Sequence, residues 1–387
     1  MKSSVSDRVG TGDEWGASER VNYFPVATRC ISVADRFSTA SLVPVGALAV
    51  LVLFLFAVQL LGTATRAAAP TLREVVPALV VGDAGALGVS WLSAYGLGNG
   101  SVVAALSLSL FTADLLTPSQ LFLMVAGSRA GAAAIVVFIG ALDFVQKRRF
   151  SLRESVSMGV LTFLVTHSIY LPATVLGYAV LPVLDPTGLS GIIGLSASPL
   201  QLFEPATAAI TAAVGPAVAF VLAVTLLFGS LQLFDSVLEH VDTGTLRDRF
   251  FSHLRRTHIS FLIGLLVTTA TTSVAFSLGV IVPLYNRGYV ERDELVPYVL
   301  GANLGTVFDT LVVAIVLESG AGVAVVLTLL GSATLVTLLA LVLHDRYTRG
   351  IATVDELLLA DRRLFVAFLA SLLVVPLALV IGPLWLG

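Results

Sequence analysis

Gly301-Ala-Asn-Leu-Gly-Thr306 stands directly ahead of an apolar run, 307–317, whose one charged residue is Asp309. Polar, backbone-permissive residues inside apolar sequence are costly in hydrocarbon unless they line a cavity or a site. The chemistry on offer is ligation. Asn303 and Thr306 supply an amide and a hydroxyl; Asp309 can take a cation, carry a proton or pair with an arginine. A second copy lies 174 residues upstream, counting from Gly301 back to Gly127: Gly127-Ser-Arg-Ala-Gly131 precedes the run 132–139, and 121–126 parallels 295–300 without a gap. Ser128 and Arg129 here take the places of Ala302 and Asn303, and Ile135 that of Asp309. Both clusters are expected where the chain enters a helix, whose N-terminus favours an anion. Arg129 could there grip a tetrahedral oxyanion through paired N–H donors. The competing reading is a structural ion pair, with Asp309 as one partner.

Thr268-Thr-Ala-Thr-Thr-Ser273 sets hydroxyls at Thr268, Thr269, Thr271, Thr272 and Ser273 in the middle of the apolar segment 259–284, at the expected turn of a hairpin. A hard cation such as Na+ takes oxygen ligands, and Thr271, Thr272 and Ser273 are its candidate ligands. The rival role for such hydroxyls is to satisfy backbone groups and help helices pack. Gly98-Asn-Gly-Ser101 (Gly98, Asn99, Gly100 and Ser101) marks a second turn. Glycine allows close approach and positive φ, and free N–H groups there bind anions; a plain tight turn uses the same residues. His167 and the matched glutamines Gln59 and Gln232 read as hydrogen-bonding groups between helices. Asp83, Asp114, Asp143 and Glu318 are expected nearer the membrane interfaces. No nucleophile motif, nucleotide-binding loop or metal-ligand spacing is present. The reading is therefore of a protein that is not an enzyme, with an ion gradient and not ATP as the drive for any transport.

These residues must be held by membrane helices. Of 387 residues, 57% are hydrophobic and 12% charged, against about 25% charged in a soluble domain. The apolar residues come in runs long enough to cross a bilayer, which takes about twenty residues per helix. Spans are predicted at 41–63, 118–144, 154–181, 214–238, 295–317, 322–343 and 364–386, with a loop after the first that carries Arg66 and Arg73. Segments 78–111 and 259–284 are too interrupted by Gly, Asn, Ser and Thr for one continuous helix each, and read as re-entrant hairpins. A net charge of −3 with no basic patch gives no sign of nucleic acid, and the lone Cys30 excludes an internal disulfide. The stretch 1–40 lacks a signal-peptide layout and is expected to be a cytoplasmic tail.

Arginines and lysines mark 146–153, 240–258 and 345–363 as cytoplasmic, and leave 185–213, which has none, outside. Every assignment agrees if both hairpins return to the side they came from. The first then enters from outside and the second from inside. The fold class that follows is an all-α polytopic membrane protein of two inverted repeats, each span, re-entrant hairpin, span, plus an extra C-terminal span. Its parts are a cytoplasmic tail (1–40), a first unit (41–184) with a hairpin at 78–113, and an extracellular loop (185–213). A second unit (214–344) with a hairpin at 258–286 follows, then a cytoplasmic loop and final span (345–387). The recurrence of Val58-Gln-Leu60 as Leu231-Gln-Leu233 fits the same repeat.

Gly301-Ala-Asn-Leu-Gly-Thr306, the Thr/Ser run before it and the two-unit layout resemble the type II sodium–phosphate cotransporter family. That family carries a Gln-Ser-Ser-Ser motif in each hairpin and a Gly-Ala/Ser-Asn-Ile-Gly-Thr motif after it. Counting 29 residues back from Gly301 and from Gly127 puts the hairpin motif at Thr272-Ser-Val-Ala275 and Gly98-Asn-Gly-Ser101. Both copies lack the glutamine, and Arg129 stands where the family has Asn. The resemblance implies a secondary active transporter of the plasma membrane. It would move inorganic phosphate or a similar small anion with Na+ or H+, and need no cofactor beyond the coupling ion. The alternative is a degenerate member of the same fold, a membrane sensor or scaffold that no longer transports.

Overall fold

The structure is a computed structural model and describes residues 39–147, 152–184, 201–239, 256–271, 277, 281 and 292–386. Apart from a 3₁₀ turn at Gln201–Phe203, the regular elements among them are α-helices. The first unit holds α1 (Thr39–Leu79), α2 (Gly82–Leu97), α3 (Gly100–Thr112), α4 (Pro118–Lys147) and α5 (Leu152–Leu184). After α6 (Glu204–Val214) come α7 (Pro216–Glu239), α8 (Thr257–Thr271), α9 (Arg292–Gly305), α10 (Val307–Val316) and α11 (Gly320–Val342). The chain closes with α12 (His344–Ala360) and α13 (Arg362–Leu386).

Among the described residues 7 segments are long and apolar enough to cross a membrane: Val45–Leu79, Pro118–Phe138, Ser157–Leu184, Pro216–Leu238, Asp293–Val316, Gly320–Val342 and Arg362–Pro383. They fall where the sequence predicts its seven spans. Large apolar side chains such as Val221, Leu335 and Val374 stay exposed, as lipid-facing positions do. The chain is a multi-pass membrane protein.

Three expected loops are helical instead. The loop at Arg66 and Arg73 lies inside α1, which runs 41 residues. Ala64, Ala67, Ala68 and Ala69 are strong helix formers, and both arginines project to the exposed side. Helix α6 sits within 185–213 and α12 within 345–363; α12 buries Thr348, Ile351 and Asp355 at helical spacing along one face. The tail up to residue 38, positions 185–200 and 240–255, and most of the second half of the second hairpin lie outside the described residues.

α2 and α3 are joined through Gly98 and Asn99 alone. Gly98 adopts φ 65, which glycine takes without strain, and Asn99 caps α3 by accepting the Ser101 and Val102 N–H groups. At 1.5 Å per residue these helices are about 24 and 20 Å long, short of the roughly 30 Å hydrocarbon core. α4 opens on a capping box: the Thr117 hydroxyl accepts the Gln120 N–H (3.2 Å) while Gln120 accepts the Thr117 N–H (3.0 Å).

The recurring spacing of glycines has a packing cause. α2 lies along α4, and a Cβ on Gly127 would sit 2.5 Å from the Leu87 carbonyl oxygen; on Gly131, 2.5 Å from that of Trp91. α8 lies along α9 in the same way: Gly301 would meet the Phe261 oxygen at 2.0 Å and Gly305 that of Leu265 at 2.9 Å. Both α2–α4 contacts recur between α8 and α9 at an offset of 174 on each side (Leu87 to Phe261, Trp91 to Leu265). Small residues let membrane helices approach backbone to backbone, and here they do so at equivalent places in both units.

The final span, α13, packs on α2. Tyr95 donates to the Leu372 carbonyl (2.8 Å), and Gly88 lies against the Pro376 carbonyl, where a Cβ would come within 2.7 Å. The position equivalent to Gly88 in the second unit, Leu262, is 48% exposed. The last helix therefore braces the first hairpin on a face that its counterpart leaves open.

Candidate substrate and ion site

Arg129 lies in the middle of α4 and Asp309 on the first turn of α10, and their side chains meet. Arg129 Nη2 donates to Asp309 Oδ1 at 3.1 Å, with the two residues only 5% and 2% exposed. The same nitrogen donates to the Thr310 hydroxyl, which in turn donates to Asp309 Oδ1 at 2.9 Å. The second carboxylate oxygen accepts from the Ser101 hydroxyl at the tip of the first hairpin. One carboxylate thus ties the α3 tip, α4 and α10 together. An ionic group in a membrane interior is tolerated when it is paired and hydrogen-bonded, and both conditions hold here.

Asn303 ends α9 one turn before the break. Its carbonyl accepts from the Thr306 hydroxyl (2.7 Å) and the Tyr170 hydroxyl (2.8 Å), and its side-chain oxygen accepts from Thr166 (3.0 Å). Side-chain donors on that carbonyl coincide with the interruption at Thr306, between α9 and α10. Thr166 and Tyr170 are four residues apart on α5 and share a face. Two buried donors near these groups, Arg129 Nε and Asn303 Nδ2, have no hydrogen-bond partner among the described residues.

The second hairpin contributes less than its hydroxyl run suggests. Thr268–271 form the last turn of α8, not a turn between helices. Thr268 donates to Ser277 (2.8 Å), Thr271 to the Val267 carbonyl of its own helix (2.7 Å), and Thr269 has its hydroxyl buried without a partner among the described residues. Thr272 and Ser273, two of the three expected Na+ ligands, lie outside the described residues. Thr268 and Thr269 do border Gly305: a Cβ there would fall 2.8 Å from Thr268 Cβ.

Several expectations need correction. Ser128 and Arg129 are not at a helix N-terminus, because α4 starts ten residues earlier at Pro118; Asn303 likewise closes a helix that began with Arg292-Asp-Glu294, acids suited to a first turn. Ser128 donates to the Val125 carbonyl of its own helix (2.7 Å), and its own carbonyl meets Gly100. Asn99 serves as a cap, so its side chain is committed to the α3 backbone. His167 bonds within its own helix, Nδ1 to the Phe163 carbonyl (3.1 Å), and stacks on the Phe163 ring at 3.7 Å; its Nε2 has no hydrogen-bond partner among the described residues. Gln59 is buried and accepts the Phe203 N–H (3.2 Å), whereas Gln232 is exposed, so the matched glutamines differ in role. The sequence reading missed Thr310, Thr166 and Tyr170. Thr310 adjoins Asp309 and was open to inference; the α5 pair becomes visible only once α5 is seen against α9.

Among the described residues no three His, Cys, Asp or Glu side chains gather as a metal site. The chemistry available is that of a buried guanidinium, a carboxylate, an amide and hydroxyls, groups suited to binding an oxyanion and a hard cation.

No curated protein and no solved structure matches the chain. The family model described as Na+/Pi-cotransporter matches residues 226–351, a stretch that runs from α7 through α8, α9, α10 and α11 into α12. The match bears out the resemblance read from Gly301–306 and supports membership of the sodium–phosphate cotransporter family.

Proposed function

We propose that the chain is a secondary transporter that moves inorganic phosphate, or a similar small oxyanion, together with Na+ or H+ across the plasma membrane. The observation that carries the reading is the buried Arg129–Asp309 pair, which joins a first-unit helix to a second-unit helix beside the tip of the first hairpin. A site shared by two repeats is where such folds bind their cargo.

Further support comes from the architecture. α2 and α3 are too short to span singly, the glycine contacts of α2 on α4 and α8 on α9 repeat at one offset, and the family match covers most of the second unit, from residue 226 on. With the basic loops inside and the N-terminus cytoplasmic, the two hairpins enter from opposite sides and the units are inverted. Arg129, Asn303, Thr306, Asp309 and Ser101 form the core of the site. Gly98, Asn99, Gly100 and Ser128 shape the first tip, and Thr268, Thr269, Thr271, Thr272 and Ser273 the second, with Na+ held by hydroxyls and carbonyls of the second.

The test is uptake of labelled phosphate into proteoliposomes with an inward Na+ gradient, an inward proton gradient, or neither. Gradient-dependent accumulation is expected. Absence of gradient-driven flux for phosphate, arsenate and sulfate alike would discard the transporter reading in favour of a sensor or scaffold of the same fold, to which the missing hairpin glutamines already point.

A further inference from the structure

The Arg129–Asp309 pair is built differently from a bridge that only holds two helices. Asp309 receives donors from three places: Arg129 on α4, Thr310 beside it, and Ser101 in the first turn of α3. The donors left over are also telling. Arg129 Nε and Asn303 Nδ2 are buried with no partner among the described residues, and they belong to equivalent positions of the two units, 174 apart (129 to 303). Spare N–H donors are satisfied by an acceptor-rich anion and do nothing for a cation. A carboxylate and a tetrahedral oxyanion present the same oxygen edge to a guanidinium.

We propose that Asp309 is the resting occupant of Arg129, that the transported oxyanion displaces it, and that the freed carboxylate takes the coupling cation. The proposal rests on the transporter reading above and adds how that site couples its two cargoes. The physical reason is charge balance. Arg129 buried without a partner is strongly unfavourable, so it exchanges one anion for another and is never left bare. Asp309, once displaced, is an unpaired buried carboxylate unless Na+ or a proton joins it. Anion and cation therefore enter together, since either alone leaves one buried charge uncompensated. Asn303, which holds the equivalent place in the second unit, carries no charge and cannot make this exchange.

The experiment measures binding of labelled inorganic phosphate to the purified full-length protein at graded Na+, and at graded pH with Na+ replaced by choline. Wild type should bind phosphate more tightly as Na+ rises or as pH falls. Asp309→Asn should bind at least about tenfold more tightly, equivalent to 1.4 kcal/mol of lost competition, and lose its dependence on the cation. Ser101→Ala, which loosens the hold on Asp309 while keeping both charges, should bind more tightly with the cation dependence intact. Asp309→Asn with wild-type affinity and wild-type cation dependence overturns the proposal while leaving the transporter reading standing. Should Asp309→Asn not fold, unchanged affinity in Ser101→Ala overturns it instead. Absence of binding of phosphate, arsenate and sulfate alike by wild type overturns the transporter reading, and this proposal with it.

Discussion

Arg129 and Asp309 pair across the two units without being repeat partners. The counterpart of Arg129 is Asn303 and that of Asp309 is Ile135, so the 3.1 Å bridge breaks the internal symmetry that the glycine contacts keep. The glycine contacts recur at the 174-residue offset and this charge pair does not.

Arginine and lysine should separate at position 129. Arg129→Lys keeps a positive charge for Asp309 but loses the planar guanidinium, whose Nη2 donates to both Asp309 and Thr310 and whose buried Nε is a spare donor for an anion. Expected is a protein that melts within a few degrees of wild type in detergent and takes up phosphate at least about tenfold more slowly, a loss of 1.4 kcal/mol or more. Arg129→Ala strips Asp309 of its partner and should cost about 3–5 kcal/mol of stability. Thermal melting alongside proteoliposome uptake distinguishes the two effects.

Glycines that carry the helix contacts should resist a methyl group, and others should not. Gly127→Ala and Gly301→Ala push a Cβ to within 2.5 and 2.0 Å of a backbone oxygen and should each lose about 1–3 kcal/mol. Gly229→Ala places its Cβ with nothing inside 4 Å, within α7, and should gain about 0.5–1 kcal/mol. Ranking the three melting temperatures checks the packing; a fall for Gly229→Ala as large as for the other two would contradict it.

The turn between α2 and α3 depends on one side chain. Asn99→Ala removes the acceptor for the Ser101 and Val102 N–H groups and should destabilise the hairpin by about 1 kcal/mol. Because Ser101 begins α3 and touches Asp309, frayed α3 also loosens the site. Asn99→Asp or Asn99→Ser, which keep a capping oxygen, should restore both stability and uptake.

Tyr347, on α12 outside the spans, reports docking of that helix. Burial pushes its hydroxyl up to about 12 from 10.0, against the smaller opposing effect of its hydrogen bond with Ser168. A raised value means the folded state favours the neutral phenol. Its contribution to stability is full below pH 10 and is lost as pH climbs from 10 toward 12. Phenolate absorbance should show a late-titrating fraction of the tyrosines, and Tyr347→Phe should reduce that fraction by one residue while making the protein less sensitive to alkali.

Much of the architecture is legible in the linear chain because hydropathy and glycine spacing are local properties. Apolar runs locate the seven spans, and the recurrence of Gly127 and Gly131 as Gly301 and Gly305 marks a repeated packing constraint. The same glycines invite a mistaken role: beside polar neighbours they look like a flexible cradle for an anion, but they seat α2 and α8 against their partners. Loops at Arg66 and within 345–363 were misplaced because charge alone does not end a helix whose neighbours favour it.

Composition and periodicity alone establish that this chain crosses a membrane repeatedly, repeats a glycine spacing 174 residues apart, and keeps an arginine and an acid inside its apolar segments. Tertiary structure alone decides that Arg129 and Asp309, 180 residues apart, meet each other, that Ser101 joins them, and that α13 closes on the first hairpin. The division has a physical cause. Lipid and protein interior are about equally apolar, so sequence reports that a helix is buried but not which way it is turned. Rotation about the helix axis selects the partner of each polar side chain, and that is settled only when the helices pack.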